Sequence, residues 1–257
     1  MAVAFFVFGE ALFGELTNYH PAIIFALYAP SIAGLIVIYR AGKLSGLKNI
    51  LLKLIPQKRH LYWFPILFFM SAASVAITRI ILIWLEVDLP QLDATFFELV
   101  ISTLFVFIEE YGLIGGIFGW IGFMLPYMQK KLNSNIFAGL ITGLVFAIWT
   151  LPAYLISSYE INTSFLLYCL QMMSFVLFHS YVFNVTKGNL SFFLFSFWMS
   201  ATGGMIGLYY HEPPVQIIQI AVYTVAFVVV HVVSKAKKAH IKLQTFPECI
   251  EQGRGAS

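Results

Sequence analysis

Two adjacent carboxylates, Glu109 and Glu110, sit inside a run that is otherwise apolar, and glycines follow at 112, 115, 116, 119 and 122. An ionisable side chain at the centre of a membrane-spanning helix costs about 2.5–3.5 kcal/mol on insertion scales, so by default it marks a site. A glutamate placed there is a candidate general base or metal ligand. The other intramembrane candidates for a metal are Cys169 and His179. Counting along the helices puts His179 about 10 Å, and Glu109 roughly 28 Å, from the same membrane face. That gap of ~18 Å is too large for ligands bonded at about 2 Å, so a regular bundle yields no metal site from these residues.

Arg79 is the basic residue deepest in an apolar run. It falls about 8–12 Å, and the glutamate pair about 16–18 Å, below the opposite face. An arginine side chain spans that difference, and an ion pair solves two burial problems together. Adjacent glutamates point ~100° apart on a helix, so only one of them meets Arg79. The other takes a hydroxyl, for which Thr150 is the candidate, or stays protonated. In the competing reading Arg79 snorkels to the headgroups, and the Thr150 hydroxyl bonds the preceding turn or a neighbouring helix. His179 and His231 read as interfacial residues, and His20, His60, His211 and His240 as solvated ones.

Membrane helices must position these groups. The chain is 60% hydrophobic and 11% charged, with a mean hydropathy of +0.85, which excludes a soluble domain. Two cysteines, Cys169 and Cys249, exclude a disulfide scaffold and a CxxC zinc site. Apolar runs predict helices near Ala22–Tyr39, Tyr62–Trp84, Phe96–Met128, Asn135–Ile156, Ser164–Phe183, Leu190–Tyr210 and Gln216–Ser234. Met1–Phe13 adds a shortened or interfacial one, being too short to cross a core of ~30 Å alone. The expectation is an all-α polytopic bundle of seven or eight transmembrane helices, one domain over residues 1–242, with a polar, disordered tail at 243–257. The glycine pairs 112/116 and 115/119 are GxxxG spacings, expected to cross the helix carrying Gly139 and Gly143.

Charge gives the orientation. Lys43, Lys53, Lys58, Arg59, Lys130, Lys131, Lys187 and Lys235 fall in alternate loops, while Glu86, Asp88, Asp93, Glu160 and Glu212 fall in the others. The positive-inside rule places the basic loops and the C-terminus in the cytoplasm of a cell-membrane protein. The lysines read as an orientation signal that also touches anionic lipid, not as a nucleic-acid site.

Several stretches resemble one family. Gly119-Trp-Ile-Gly-Phe-Met-Leu-Pro-Tyr-Met-Gln129 is similar to the first motif region of the CPBP intramembrane metalloproteases, which include CAAX prenyl protease 2 type enzymes and bacteriocin-immunity homologues. Tyr28-Ala-Pro-Ser-Ile-Ala-Gly-Leu-Ile with Gly46-Leu-Lys resembles that family's second helix and following loop. Phe146-Ala-Ile-Trp-Thr-Leu-Pro152 resembles its second motif, and Tyr181-Val-Phe-Asn184-Val-Thr-Lys-Gly-Asn-Leu190 the turn before its third. The order is the family's, over about residues 22–202.

The resemblance implies a CAAX-protease-like fold and a site made of first-motif glutamates, a second-motif His, and a third-motif His and Asn. Here Thr150 stands at the second-motif His, and Leu190–Thr202 contains no His. Ser196 or Phe197 takes the place of the third-motif His, and Ser200 or Ala201 that of the Asn. The first-motif Arg is Ile114 when counted from the glutamates and Ile121 when counted from Gly-Trp-Ile-Gly-Phe. Aligning on Leu-Pro-Tyr-Met-Gln puts Gly116 and Ile117 where the glutamate pair belongs. The real pair lies seven residues earlier, on nearly the same helix face but ~10 Å nearer the outer surface.

Two functions follow. One is a protein without metal-dependent peptidase activity or a cofactor, serving a binding, immunity or chaperone-like role toward a membrane peptide or protein. The other is a divergent intramembrane endopeptidase with Glu109 or Glu110 as general base, acting on membrane-embedded or prenylated peptides and using zinc or another divalent metal.

Overall fold

Apolar sequence in lipid must satisfy its backbone polar groups internally, which a helix does and an open strand does not. The computed structural model describes residues 21–91, 93–151, 163–236 and 241–251, and among these it is helical without a strand. In chain order the elements are α1 (Pro21–Leu52), a 3-10 turn (Lys58–His60), α2 (Trp63–Trp84), α3 (Phe96–Glu109) and α4 (Tyr111–Gly119). Helix α4 runs through a π-helical turn (Trp120–Met124) into α5 (Leu125–Leu132), followed by α6 (Asn135–Trp149), α7 (Phe165–Val185), α8 (Ser191–Met205), α9 (Pro213–Ala236) and the short α10 (Glu248–Glu251).

Each of the seven apolar runs contains a helix. Four helices are long and apolar enough to cross a membrane, and the bent pair α3 with α4–α5 adds a fifth if it is one span. This marks an integral membrane protein. Its outward faces agree, with Trp84 80% and Phe96 83% exposed, an arrangement that needs lipid rather than water. Helix α6, at 15 residues, is apolar but shorter. Met1–Phe13, His20 and His240 lie outside the described residues.

Close crossings hold the bundle, with partners other than those expected. A β-carbon on Gly115 would sit 2.5 Å from the Leu27 carbonyl oxygen, and one on Gly119 would overlap the Pro30 carbonyl. Gly115 and Gly119 therefore seat α4 on α1, whereas a β-carbon on Gly116 would face Trp120 and, at 3.8 Å, Phe146 of α6. Gly139 and Gly143 of α6 instead meet α7, where a β-carbon on Gly143 would stand 2.5 Å from the Met172 carbonyl oxygen. Spacing alone marks a crossing surface, but its partner is decided by which neighbouring backbone is unobstructed. Ser31 strengthens the first crossing: its hydroxyl donates to the Ile114 carbonyl (2.8 Å) and accepts from the Phe118 N–H (3.2 Å). One side chain of α1 thus bridges a full turn of α4.

The basic loops gather at one end. The Leu190 N–H donates to the Lys53 carbonyl (2.9 Å), and the Asn189 amide to the Ile55 carbonyl (3.0 Å). Over 241–251 the tail that composition predicts to be disordered is packed on this same end. Ile250 is 1% exposed, the Asn49 amide donates to its carbonyl (2.6 Å), and Phe246 meets Phe123 edge to face. Two apolar side chains in a polar tail are enough to dock it, a signal that average composition hides. His60, expected in solvent, is also buried at this end.

Candidate functional site

Helix α3 ends where the Glu110 N–H donates to the Val106 carbonyl (2.9 Å), and Glu110 then leaves helical geometry at φ −80°, ψ 79°. Its carboxylate accepts the Gly112 N–H (3.2 Å) and so caps α4. The first N–H groups of a helix lack partners and lie at the positive end of its dipole, so a carboxylate there restarts the chain as a helix after the break. The two halves bend by 46°. A discontinuous helix is tolerated at membrane depth where it is buried in protein or lines a cavity.

A cavity of about 420 Å³ opens at this break, walled by Glu110, by α7, α8 and α9, and by the turn after α8. Its polar wall consists of Glu110, Gln171, Ser200, Tyr209, Gln219 and Tyr223, and its apolar wall includes Met172, Phe175 and Phe197. The Gln219 amide donates to the Tyr209 hydroxyl (2.9 Å) and accepts from the Gln171 amide. Ser200 is hydrogen-bonded to the Tyr223 hydroxyl and donates to the Ser196 carbonyl (2.8 Å). Gln171 Oε1 is buried without a partner. An orphaned buried acceptor costs about 1–3 kcal/mol, so this cavity carries polar capacity that the fold does not consume.

The sequence-derived candidates are distributed as follows. Glu110 is on the cavity wall, whereas the Glu109 side chain lies outside the described residues. Arg79 does not pair with Glu110: its Nη1 donates to the Leu208 carbonyl (2.5 Å) beyond the end of α8. The one ion pair among the described residues is Lys130–Glu248. A guanidinium suits the carbonyl-rich end of a helix. The Thr150 hydroxyl donates to the Ala147 carbonyl of its own helix (2.7 Å), in line with the packing reading, and it is not on the cavity wall. Cys169 is buried in the main core.

His179 is a core residue rather than an interfacial one. It is 1% exposed, its Nδ1 lies 2.8 Å from the Phe175 carbonyl, and its ring packs on Phe175 at 4.1 Å between centroids. His211 is exposed and borders the cavity. Among the described residues no three His, Cys, Asp or Glu side chains converge to hold a metal ion. A catalytic zinc usually needs three such donors. Among the described residues the cavity wall offers one carboxylate, Glu110, and one imidazole, His211, a donor set that does not fit zinc.

The family-like motifs meet elsewhere. At the basic end, Gln129 and Asn184 both donate to Asn135 Oδ1 (3.2 and 2.7 Å). Their carbonyl oxygens both accept the Gln244 N–H of the C-terminal segment (3.1 and 2.8 Å). Gln129 closes the Leu-Pro-Tyr-Met-Gln stretch, and Asn184 lies in the Tyr-Val-Phe-Asn turn. Motif reading singled out both stretches but missed their shared task. It also missed Gln171 and Gln219, although polar residues within apolar spans carry the same signal that picked out the glutamates. Of the third-motif positions, Phe197, Ser200 and Ala201 line the cavity. No family model matches this chain, and no curated protein matches it.

Proposed function

We propose that this is a membrane-embedded binding protein, built as a CPBP-like bundle of seven or eight spans, that does not carry out metal-dependent proteolysis. Its basic end and C-terminus face the cytoplasm of the cell membrane, and its cavity receives a membrane peptide or another amphiphile. One observation carries this reading. Among the described residues Glu110 is the one carboxylate on the cavity wall; it caps its own helix, and its neighbours there are amides, phenols, a serine and one imidazole, His211, short of the three donors a catalytic zinc usually takes. Such groups bind and orient a ligand by hydrogen bonds within a mostly apolar wall. The degenerate motif positions point the same way, since Thr150 spends its hydroxyl on its own helix.

The second reading, an intramembrane endopeptidase with Glu109 or Glu110 as general base, draws support from a carboxylate beside a cavity with room for water. Purified protein incubated with a prenylated CAAX-type peptide separates the two. The binding reading expects no more product from the wild type than from Glu110→Ala, and zinc well below one per chain. Cleavage abolished by Glu109→Ala or Glu110→Ala, with near-stoichiometric zinc, establishes the endopeptidase instead.

A further inference from the structure

The cavity at the α3–α4 break has an unbalanced hydrogen-bonding capacity. One Glu110 oxygen holds the Gly112 N–H (3.2 Å), and no cationic side chain among the described residues forms an ion pair with this carboxylate. Arg79, one candidate partner for the glutamate pair, is engaged at the Leu208 carbonyl. Gln171 Oε1 presents a second buried acceptor without a partner. Behind it, Gln219 is bonded at both ends of its amide, to Gln171 and to Tyr209. Gln171 Oε1 and the second Glu110 oxygen are therefore acceptors on this wall that the fold leaves unmet among the described residues, and the latter belongs to an ionisable carboxyl group.

Aromatic rings form another part of the wall. Phe175 meets Phe197 and Tyr223 edge to face, at 5.8 and 4.8 Å between centroids. Tyr168 completes the same wall. Ring faces attract a cation electrostatically and pack equally well against an alkyl chain. A carboxylate taken out of water without a partner is strongly penalised, and a desolvated opposite charge with N–H donors offsets that penalty best. A cavity of about 420 Å³ lies within the range of small-ligand sites.

We infer that this cavity binds an amphiphile whose head is an aliphatic ammonium, with the head between Glu110 and Gln171 and the apolar tail against Phe175 and Phe197. This rests on the binding reading above and specifies its ligand. A neutral alcohol of the same length satisfies one acceptor but leaves the charge uncompensated, and a carboxylate head is repelled. The ammonium preference therefore belongs to Glu110, and the affinity common to all three heads belongs to the aromatic wall.

The test uses the full chain in nanodiscs and follows thermal unfolding with hexylammonium, hexanol and hexanoate as probes. The expected result is a saturable upward shift with hexylammonium, an apparent Kd at least tenfold weaker for hexanol, and no saturable shift for hexanoate. Glu110→Gln keeps an acceptor for the Gly112 N–H, so it should fold and bind hexylammonium no better than hexanol. Gln171→Leu, which leaves the α4 cap untouched, should weaken hexylammonium binding severalfold, and it carries the test if the first variant is poorly produced. Equal affinity for hexylammonium and hexanol, an ammonium preference that survives Glu110→Gln, or no saturable shift with hexylammonium overturns the inference. None of these results bears on the zinc and cleavage assays, whose failure would remove the binding reading itself.

Discussion

The two polar clusters of this bundle are built from similar side chains and treated in opposite ways. At the basic end, Gln129, Asn135 and Asn184 bond one another and grip the Gln244 N–H of the C-terminal segment, so donors and acceptors close on themselves. At the α3–α4 break, Gln171 and Gln219 are equally polar, yet an acceptor is left over beside a carboxylate and a cavity. A buried polar network that is satisfied rigidifies a fold, whereas one that is not is costly. The first cluster fastens the tail, whereas the second leaves an acceptor unpartnered, and on the binding reading proposed above that capacity is kept for a ligand.

The largest expected effect tests the frame on which both clusters rest. Gly115→Leu and Gly119→Leu drive a side chain into the α1 backbone, so they should cost at least the upper end of the about 1–3 kcal/mol typical of overpacking. Loss of monodisperse protein on size exclusion would report it. Gly122→Ala is the matched control: its β-carbon would stand 3.4 Å from the Ile50 side chain, ordinary contact distance, and its unfolding temperature should stay near that of the wild type. If Gly115→Leu behaved like Gly122→Ala, the α1–α4 crossing would be wrong.

Next in size, Gln129→Ala should lower stability by about 0.5–1.5 kcal/mol, because the Gln244 N–H loses one of its two acceptors and keeps Asn184. It should also speed hydrogen exchange at Gln244 and Phe246. Unchanged exchange there would mean that the amides do not hold the tail.

The smallest effect depends on pH. The Lys130 hydrogen bond to Glu248, helped by Thr245, holds that carboxyl at about 2, below its ordinary value of 4.5. A lowered folded-state pKa contributes stability that is complete above about 4.5 and is lost as pH falls toward about 2. Both partners are half exposed, at 52% and 46%, so screening keeps the contribution small. Protection of the Ile250 amide should decline between pH 5 and pH 3 in the wild type, and Lys130→Met should flatten that decline. A decline of the same size in the variant would assign it to another group.

Helix placement was legible because apolar length is a strong signal, and each run from Ala22 onward carries a helix. The break at Glu110 was not, because glycines and a glutamate in an apolar run read equally well as one long helix. Its cause is local capping, which only the geometry at Gly112 reveals. The glycine spacings were legible as crossings but not as pairings, since GxxxG carries no address. Depth along the helices left Arg79 between a glutamate and the headgroups; it bonds the Leu208 carbonyl and does not pair with Glu110, while the Glu109 side chain lies outside the described residues. Ser31, Gln129 and Asn184 lay inside stretches recognised for their family likeness, and their roles in bracing helices and tail became visible only when distant segments met.

The central claim is that the Gln129, Asn135 and Asn184 amides at the basic end are consumed by the fold while the polar groups at the helix break are held for a ligand. Its most direct test is the unfolding free energy of Glu110→Gln and Asn184→Ala, measured without added ligand in one membrane mimic. Glutamine retains the cap on Gly112 and removes a buried charge, so Glu110→Gln should be at least as stable as the wild type. Asn184→Ala strips partners from a closed network and should lose about 1–3 kcal/mol. Opposite signs, or a neutral first variant beside a destabilised second, are the predicted result; equal destabilisation of both would contradict the claim.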